Sequence, residues 1–148
     1  MRDDPAEGTA GRTVVFVCPH GAGKSRIAAA WFNQATPPGW RATSAGLQPQ
    51  AMVSVHAAQL LAGTPAAGLL DHSLPRPLAA VADPDLVVAI DCPPGALPSA
   101  LDWTLANQDF DAALAAELRQ HAEALARRLA DATGSTSPTG PAAGQAAR

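Results

Sequence analysis

An apolar, β-branched run, Thr13-Val14-Val15-Phe16-Val17-Cys18, passes directly into Pro19-His20-Gly21-Ala22-Gly23-Lys24-Ser25, and a helix-compatible stretch from Arg26 to Asn33 follows without a break. A short apolar run that stops at a Pro/Gly turn reads as a buried strand. Strand, tight loop and helix in that order make a place to hold an anion. The loop amides converge, the helix N-terminus carries partial positive charge, and Lys24 adds a full one. Cys18 stands at the edge of this pocket, in surroundings that favour its thiolate.

Two loop templates compete for these residues. The nucleotide loop G-x-x-x-x-G-K-[ST] is met by Gly23-Lys24-Ser25, with Cys18 in place of the first glycine. A Cβ and a sulfur there crowd a backbone that has to wrap phosphates closely. The cysteine-phosphatase loop C-x5-R-[ST] is met by Cys18 and Ser25, with Lys24 in place of arginine. That exchange keeps the charge and loses the planar fork.

The chain's 148 residues suffice for one core, and the net charge of −3 gives no electrostatic case for nucleic acid. No apolar stretch is long enough for a membrane span and no charged-then-apolar leader opens the chain, so a cytoplasmic protein without membrane contact is expected. His20, His56, His72 and His121 match no metal template, and Cys18 and Cys92 do not make a disulfide framework. Neither a metal nor a cofactor is expected.

Residues 1–11 and 132–148 are polar or small, without apolar period, and read as a disordered lead-in and tail around one domain at 12–131. Within it we expect strands at 13–18, 40–44, 86–90 and 101–105. Helices are expected at 25–34, 51–61 and 110–129, the last with Phe110, Leu114, Leu118, Leu125 and Leu129 on one face, and a short helix at 76–81. Alternating strands and helices imply a parallel sheet of the α/β class, with ligands beyond the carboxyl ends of the strands. Tryptophans in a chain so poor in aromatics belong to the core more readily than to a site rim.

Four segments occur in the order met in a known family. These are Val14 to Cys18 with its loop, Ser25 with Ile27-Ala28-Ala29-Ala30-Trp31-Phe32, Arg41-Ala42-Thr43-Ser44-Ala45-Gly46, and Asp83-Pro84-Asp85-Leu86-Val87-Val88-Ala89-Ile90-Asp91. Together they resemble the low-molecular-weight protein tyrosine phosphatases and the arsenate reductases built on the same fold. The resemblance implies a single α/β domain, a four-stranded parallel sheet flanked by helices, with the phosphate loop after the first strand. It also implies a phosphatase acting through phosphoryl-Cys18 on a phosphotyrosine-like phosphomonoester, with phosphate, another oxyanion or a phosphoprotein as partner.

In this reading Cys18 is the nucleophile, and Pro19, His20, Gly21, Ala22, Gly23, Lys24 and Ser25 cradle the phosphate. Ser25 donates its hydroxyl to the departing sulfur. Lys24 supplies one mobile point charge where the family has a bidentate arginine. Arg26, two residues on and about 200° around the helix, does not replace that fork. Asn107 falls where the resembled phosphatases carry the acid that protonates the leaving oxygen, so Asp109 is the candidate acid, with an N-cap role as its alternative. Cys92 lies near the second redox cysteine of the arsenate reductases and is a candidate redox partner, or else an inert thiol. Slow hydrolysis is therefore expected. Its alternatives are an arsenate reductase-like thiol enzyme, a catalytically impaired phosphate- or phosphoprotein-binding module, and a small nucleotide-binding P-loop protein with Asp91 as its magnesium aspartate.

Overall fold

The computed structural model describes residues 11–35, 38–52 and 54–134. The expected lead-in, apart from Gly11, and the tail beyond 134 lie outside the described residues. Four strands, β1 (Arg12–Cys18), β2 (Trp40–Gly46), β3 (Leu86–Ile90) and β4 (Leu101–Trp103), form one sheet in the order β2-β1-β3-β4, every pair parallel. Its helices are α1 (Lys24–Ala35), α2 (Val55–Leu61) and α3 (Ala112–Gly134), with 3-10 turns at Ala67–Leu69 and Leu78–Ala80. The α/β class, the single domain and the four-stranded parallel sheet flanked by helices are as the sequence implies.

β1 sits in the middle of the sheet because both of its faces are apolar. Val14, Phe16 and Cys18 point to one side, where they meet Ile27, Phe32, Leu114, Leu118 and Trp103. Val15 and Val17 point to the other, against Ala45, Leu78, Val81 and Leu97. A strand buried on both sides is the parallel-sheet signature. Phe16 touches Phe32 edge-on at 5.9 Å and Trp103 at 5.4 Å, so the few aromatics concentrate at the sheet's centre. Burying each such side chain stabilises the fold by about 1.5–3 kcal/mol. α1 is alanine-rich and buried from Ser25 to Phe32, wedged between the sheet and α3. Its Asn33 exchanges two hydrogen bonds with the backbone of Ala42, at 2.8 and 3.1 Å, which satisfies part of the open edge of β2.

Four elements depart from expectation. The helix expected at 51–61 begins only at Val55, behind an N-cap Ser54 whose hydroxyl accepts from His56 N. Met52 and Val55, apolar positions of that expected helix, are exposed, while Ala57 and Leu61 reach the core. The expected short helix at 76–81 is a single 3-10 turn, and the strand expected at 101–105 stops at Trp103. The last helix starts at Ala112 and runs to Gly134, past the expected boundary at 131, and Asp111 caps it by accepting from Leu114 N at 3.1 Å. Phe110 therefore lies outside that helix and off its apolar face. Trp103 is core, as composition implies, and Trp40 lies half-buried at the start of β2, the end remote from the Cys18 loop.

Candidate active site at the first strand–helix loop

Parallel β1 and β3 end side by side, so Cys18 and its loop meet Asp91 and the segment after β4 at one edge of the sheet. Cys18 is buried at the floor of a cavity of about 450 Å³, lined also by Pro19, His20, Ala22, Gly23, Lys24, Gln50, Ser54, His56 and Phe110. The sulfur accepts from Gly21 N at 3.2 Å and is hydrogen-bonded to the Ser25 hydroxyl at 3.1 Å. Among the described residues, the amides of Ala22, Gly23, Lys24 and Ser25 have no hydrogen-bonded acceptor. Such a run of free N–H groups at a helix start is an arrangement suited to an anion.

Backbone geometry holds the loop open. Gly21 has φ +66°, and a Cβ there would meet Gly46 N at 2.7 Å. Behind it, residues leaving β2 rail the loop: Leu47 N donates to Cys18 O, Gln48 N to Pro19 O and Gln50 N to His20 O. Ser54 N donates to Ala22 O. Carbonyls are thereby drawn outward, toward 46–54, leaving N–H groups free to face the cavity.

Lys24 is where expectation and structure part. Its ammonium lies 2.7 Å from Asp91 Oδ2 and 3.2 Å from Gln108 Oε1. Asp91, in the left-handed region at φ 53°, accepts also from Leu105 N at 2.9 Å and Gln108 Nε2 at 3.2 Å. Burial alone would push the Asp91 carboxyl up, but the hydrogen bonds from Lys24 and Leu105 hold it below the usual carboxylate range. Lys24 is thus paired at the rim instead of free to swing over the loop. No sequence spacing exposes this pair, although Asp91's position just after a strand next to β1 is the available signal.

Asn107 is not directed at the cavity. Its side-chain amide donates to Glu117 Oε1 at 2.9 Å, and the Ala106 and Asn107 N–H groups donate to the same carboxylate. Asp109 is exposed in the turn before α3, where its carbonyl accepts from Asp111 N. It is Asp111, not Asp109, that caps the helix. Neither Asn107 nor Asp109 lines the cavity, whereas the next residue, Phe110, does. The Phe110 ring rests on Gly23, close enough that a Cβ there would be 2.8 Å from it, and stacks on His56 at 5.3 Å. Sequence reasoning missed both rings as cavity walls.

Cys92 is half-buried among the residues packed against Val15 and Val17, on the face opposite Cys18, with its sulfur 3.4 Å from Val17 O. Burial, helped by negative charge around it, pushes its thiol up to about 11. Arg26 is the other unforeseen group: it is 1% exposed, and its Nε donates to Gly21 O at 2.9 Å. Among the described residues no cluster of three or more His, Cys, Asp or Glu side chains is arranged to hold a metal ion, and no helix is long and apolar enough to cross a membrane.

No protein-family model and no curated protein matches the chain. Solved structures do. An arsenate reductase from Archaeoglobus fulgidus is 29% identical, over 77% of this chain and 98% of its own, with a TM-score of 0.61. The low-molecular-weight protein tyrosine phosphatase of T. tengcongensis is 19% identical over 82% and 99%, with a TM-score of 0.55. An arginine phosphatase from Geobacillus stearothermophilus is 22% identical over 84% and 94%, with a TM-score of 0.56. In fold, the chain is similar to arsenate reductases and low-molecular-weight protein tyrosine phosphatases. Fold likeness alone assigns no activity.

Proposed function

We propose that the chain is a cysteine-dependent phosphatase of the low-molecular-weight tyrosine phosphatase type, acting slowly on a phosphotyrosine-like phosphomonoester. The observation that carries this reading is the Cys18 sulfur lying under a nest of free amides, within hydrogen-bonding distance of Gly21 N and the Ser25 hydroxyl. The thiolate attacks phosphorus as the bond to the leaving oxygen breaks, and the amides stabilise the charge on the three equatorial oxygens. The leaving oxygen takes a proton, from Asp109 if the 105–110 turn shifts toward the cavity, and otherwise from water. Water then attacks the phosphorus of phosphoryl-Cys18, releasing inorganic phosphate while Ser25 donates to the departing sulfur. Slowness follows from two features: Lys24 is engaged by Asp91, and among the described residues no carboxylic acid lines the cavity.

A second reading has its own support in the 29% identity to an arsenate reductase. Here Cys18 attacks arsenate with loss of water. A second thiol then attacks the Cys18 sulfur, and the two electrons of the sulfur–arsenic bond leave with arsenic as arsenite. Cys92, protonated and packed on the opposite face, is a poor second thiol, so an external thiol fits better.

The deciding experiment is hydrolysis of p-nitrophenyl phosphate by the protein and by Cys18→Ser, with thiol-dependent arsenite production measured alongside. Hydrolysis lost in the variant supports the phosphatase, and arsenite production alone supports the second reading. Equal hydrolysis by both proteins refutes the role of Cys18. Phosphate binding without either reaction assigns the loop to binding.

A further inference from the structure

Arg26 is the largest fully buried side chain of the described core, and no step above uses it. Its Nε holds Gly21 O at 2.9 Å, its NH1 donates to Asp71 O, and its NH2 is buried with no partner among the described residues. A guanidinium so placed carries a large desolvation cost, and burial lowers its proton affinity, yet an arginine stays charged. An orphaned buried donor calls for a reason.

The charges around Cys18 supply one. Lys24 and Asp91 form a close pair of net charge zero. On the far side of the loop, Asp71 lies between two arginines, 3.8 Å from Arg26 NH1 and 2.8 Å from Arg76 NH2. Two positive charges and one negative leave that group with one net positive charge. Arg26 is its deeply buried member, where water screens least. It is also joined to the sulfur through a single residue, since Gly21 gives its N–H to Cys18 Sγ and its carbonyl to Arg26 Nε. Gly21 carries both bonds in its left-handed conformation at φ +66°, one open to glycine.

We propose that Arg26 is the positioning residue that activates Cys18: from beneath the loop it fixes Gly21 and supplies the net positive charge that sustains the thiolate, a role that Lys24, neutralised by Asp91, does not fill. The inference rests on the reading of Cys18 as a thiolate nucleophile and deepens it. It is independent of which oxyanion is the substrate.

The test is alkylation by iodoacetamide, followed against pH in a Cys92→Ala background so that one thiol reports. It needs no substrate, so it reads the thiol even in a protein without phosphatase activity. Arg26→Met is expected to slow Cys18 alkylation about tenfold at pH 6.5 and to move the profile toward alkaline pH, the scale of one lost neighbouring charge. Arg26→Lys, which keeps the charge, is expected to recover most of that rate. Lys24→Met with Asp91→Asn removes a neutral pair and is expected to change the rate less than about threefold. If the pair variant slows alkylation as much as Arg26→Met, or if Arg26→Met leaves the profile in place, the proposal is overturned. Should Arg26→Met fail to fold, Asp71→Asn decides: removal of the negative member is expected to speed alkylation, and an unchanged or slower rate refutes the idea.

Discussion

Gly46→Ala tests whether the loop owes its shape to the strand beside it. A Cβ at Gly46 would lie 2.5 Å from the His20 carbonyl carbon, 2.6 Å from Gly21 N and 2.8 Å from His20 O. Carbon atoms pack best about 3.5–4.0 Å apart, so the new methyl arrives roughly 1 Å too close. All three neighbours are backbone, and no side chain can rotate away. Gly46 is itself held by β1 and by Arg76 O, which its N–H meets at 2.9 Å, so the Cys18 loop has to move. Overpacking of this kind costs about 1–3 kcal/mol. In a domain of this size that lowers Tm by roughly 4 °C per kcal/mol. A displacement of about 1 Å at Gly21 also withdraws its N–H from the Cys18 sulfur, and misplacement on that scale costs about 10²-fold in a preorganised site. Calorimetric unfolding together with the rate of p-nitrophenyl phosphate hydrolysis checks both effects. Wild-type Tm and a wild-type hydrolysis rate in Gly46→Ala would refute the claim that this backbone contact shapes the site.

Asn107→Asp is expected to lose about 1 kcal/mol or more of stability at pH 7, because it replaces a donor to Glu117 with a second carboxylate. It is also expected to leave aryl phosphate hydrolysis no faster; a rate rise would show that Asn107 reaches the substrate after all. Asp71 and Asp91 are both held below the usual carboxylate range, against the upward push of burial, by hydrogen bonds from Ser73 and Arg76 in the first case and Lys24 and Leu105 in the second. Groups depressed on folding stabilise the protein fully above their unfolded value, near pH 3.9, and lose that contribution as pH falls through the folded values. Urea midpoints at pH 5, 4 and 3 should therefore fall less steeply in Asp71→Asn/Asp91→Asn than in the wild type, and parallel curves would contradict this. Cys92, pushed up to about 11 by burial, is expected to resist iodoacetamide at pH 8 in the folded protein and to react in urea. Mass spectrometry of tryptic peptides reads the difference, and rapid labelling in the folded state would count against the assignment.

The strand, loop and helix around Cys18 are legible in the sequence because their signals are local. A β-branched apolar run, two loop glycines and an alanine-rich helix each answer to neighbours a few residues away. The register of Cys18 above Ser25 follows from the loop length, and the 3.1 Å contact between them agrees with it. The helix expected at 51–61 is shorter for a different reason. Met52 and Val55 are apolar, but the Phe16 face is already filled by α1 and α3, so only Ala57 and Leu61 find buried space. Phe110 fits a helix face by period alone, yet an aspartate one residue later, Asp111, starts that helix and leaves the ring over Gly23.

By itself, the order of apolar runs and turn residues determined the parallel α/β sheet and the strand, tight loop and helix that place Cys18 beside a run of free amides, since each depends on backbone sterics and short-range spacing. Tertiary structure alone decided which charges face that thiol. Lys24 sits in the expected loop position, yet its charge is taken by Asp91, 67 residues away. Arg26 sits on the side of α1 turned from the cavity mouth, yet its buried guanidinium bonds the loop from below. Coulomb interactions depend on distance and on burial from water, and both are set by which strands lie side by side.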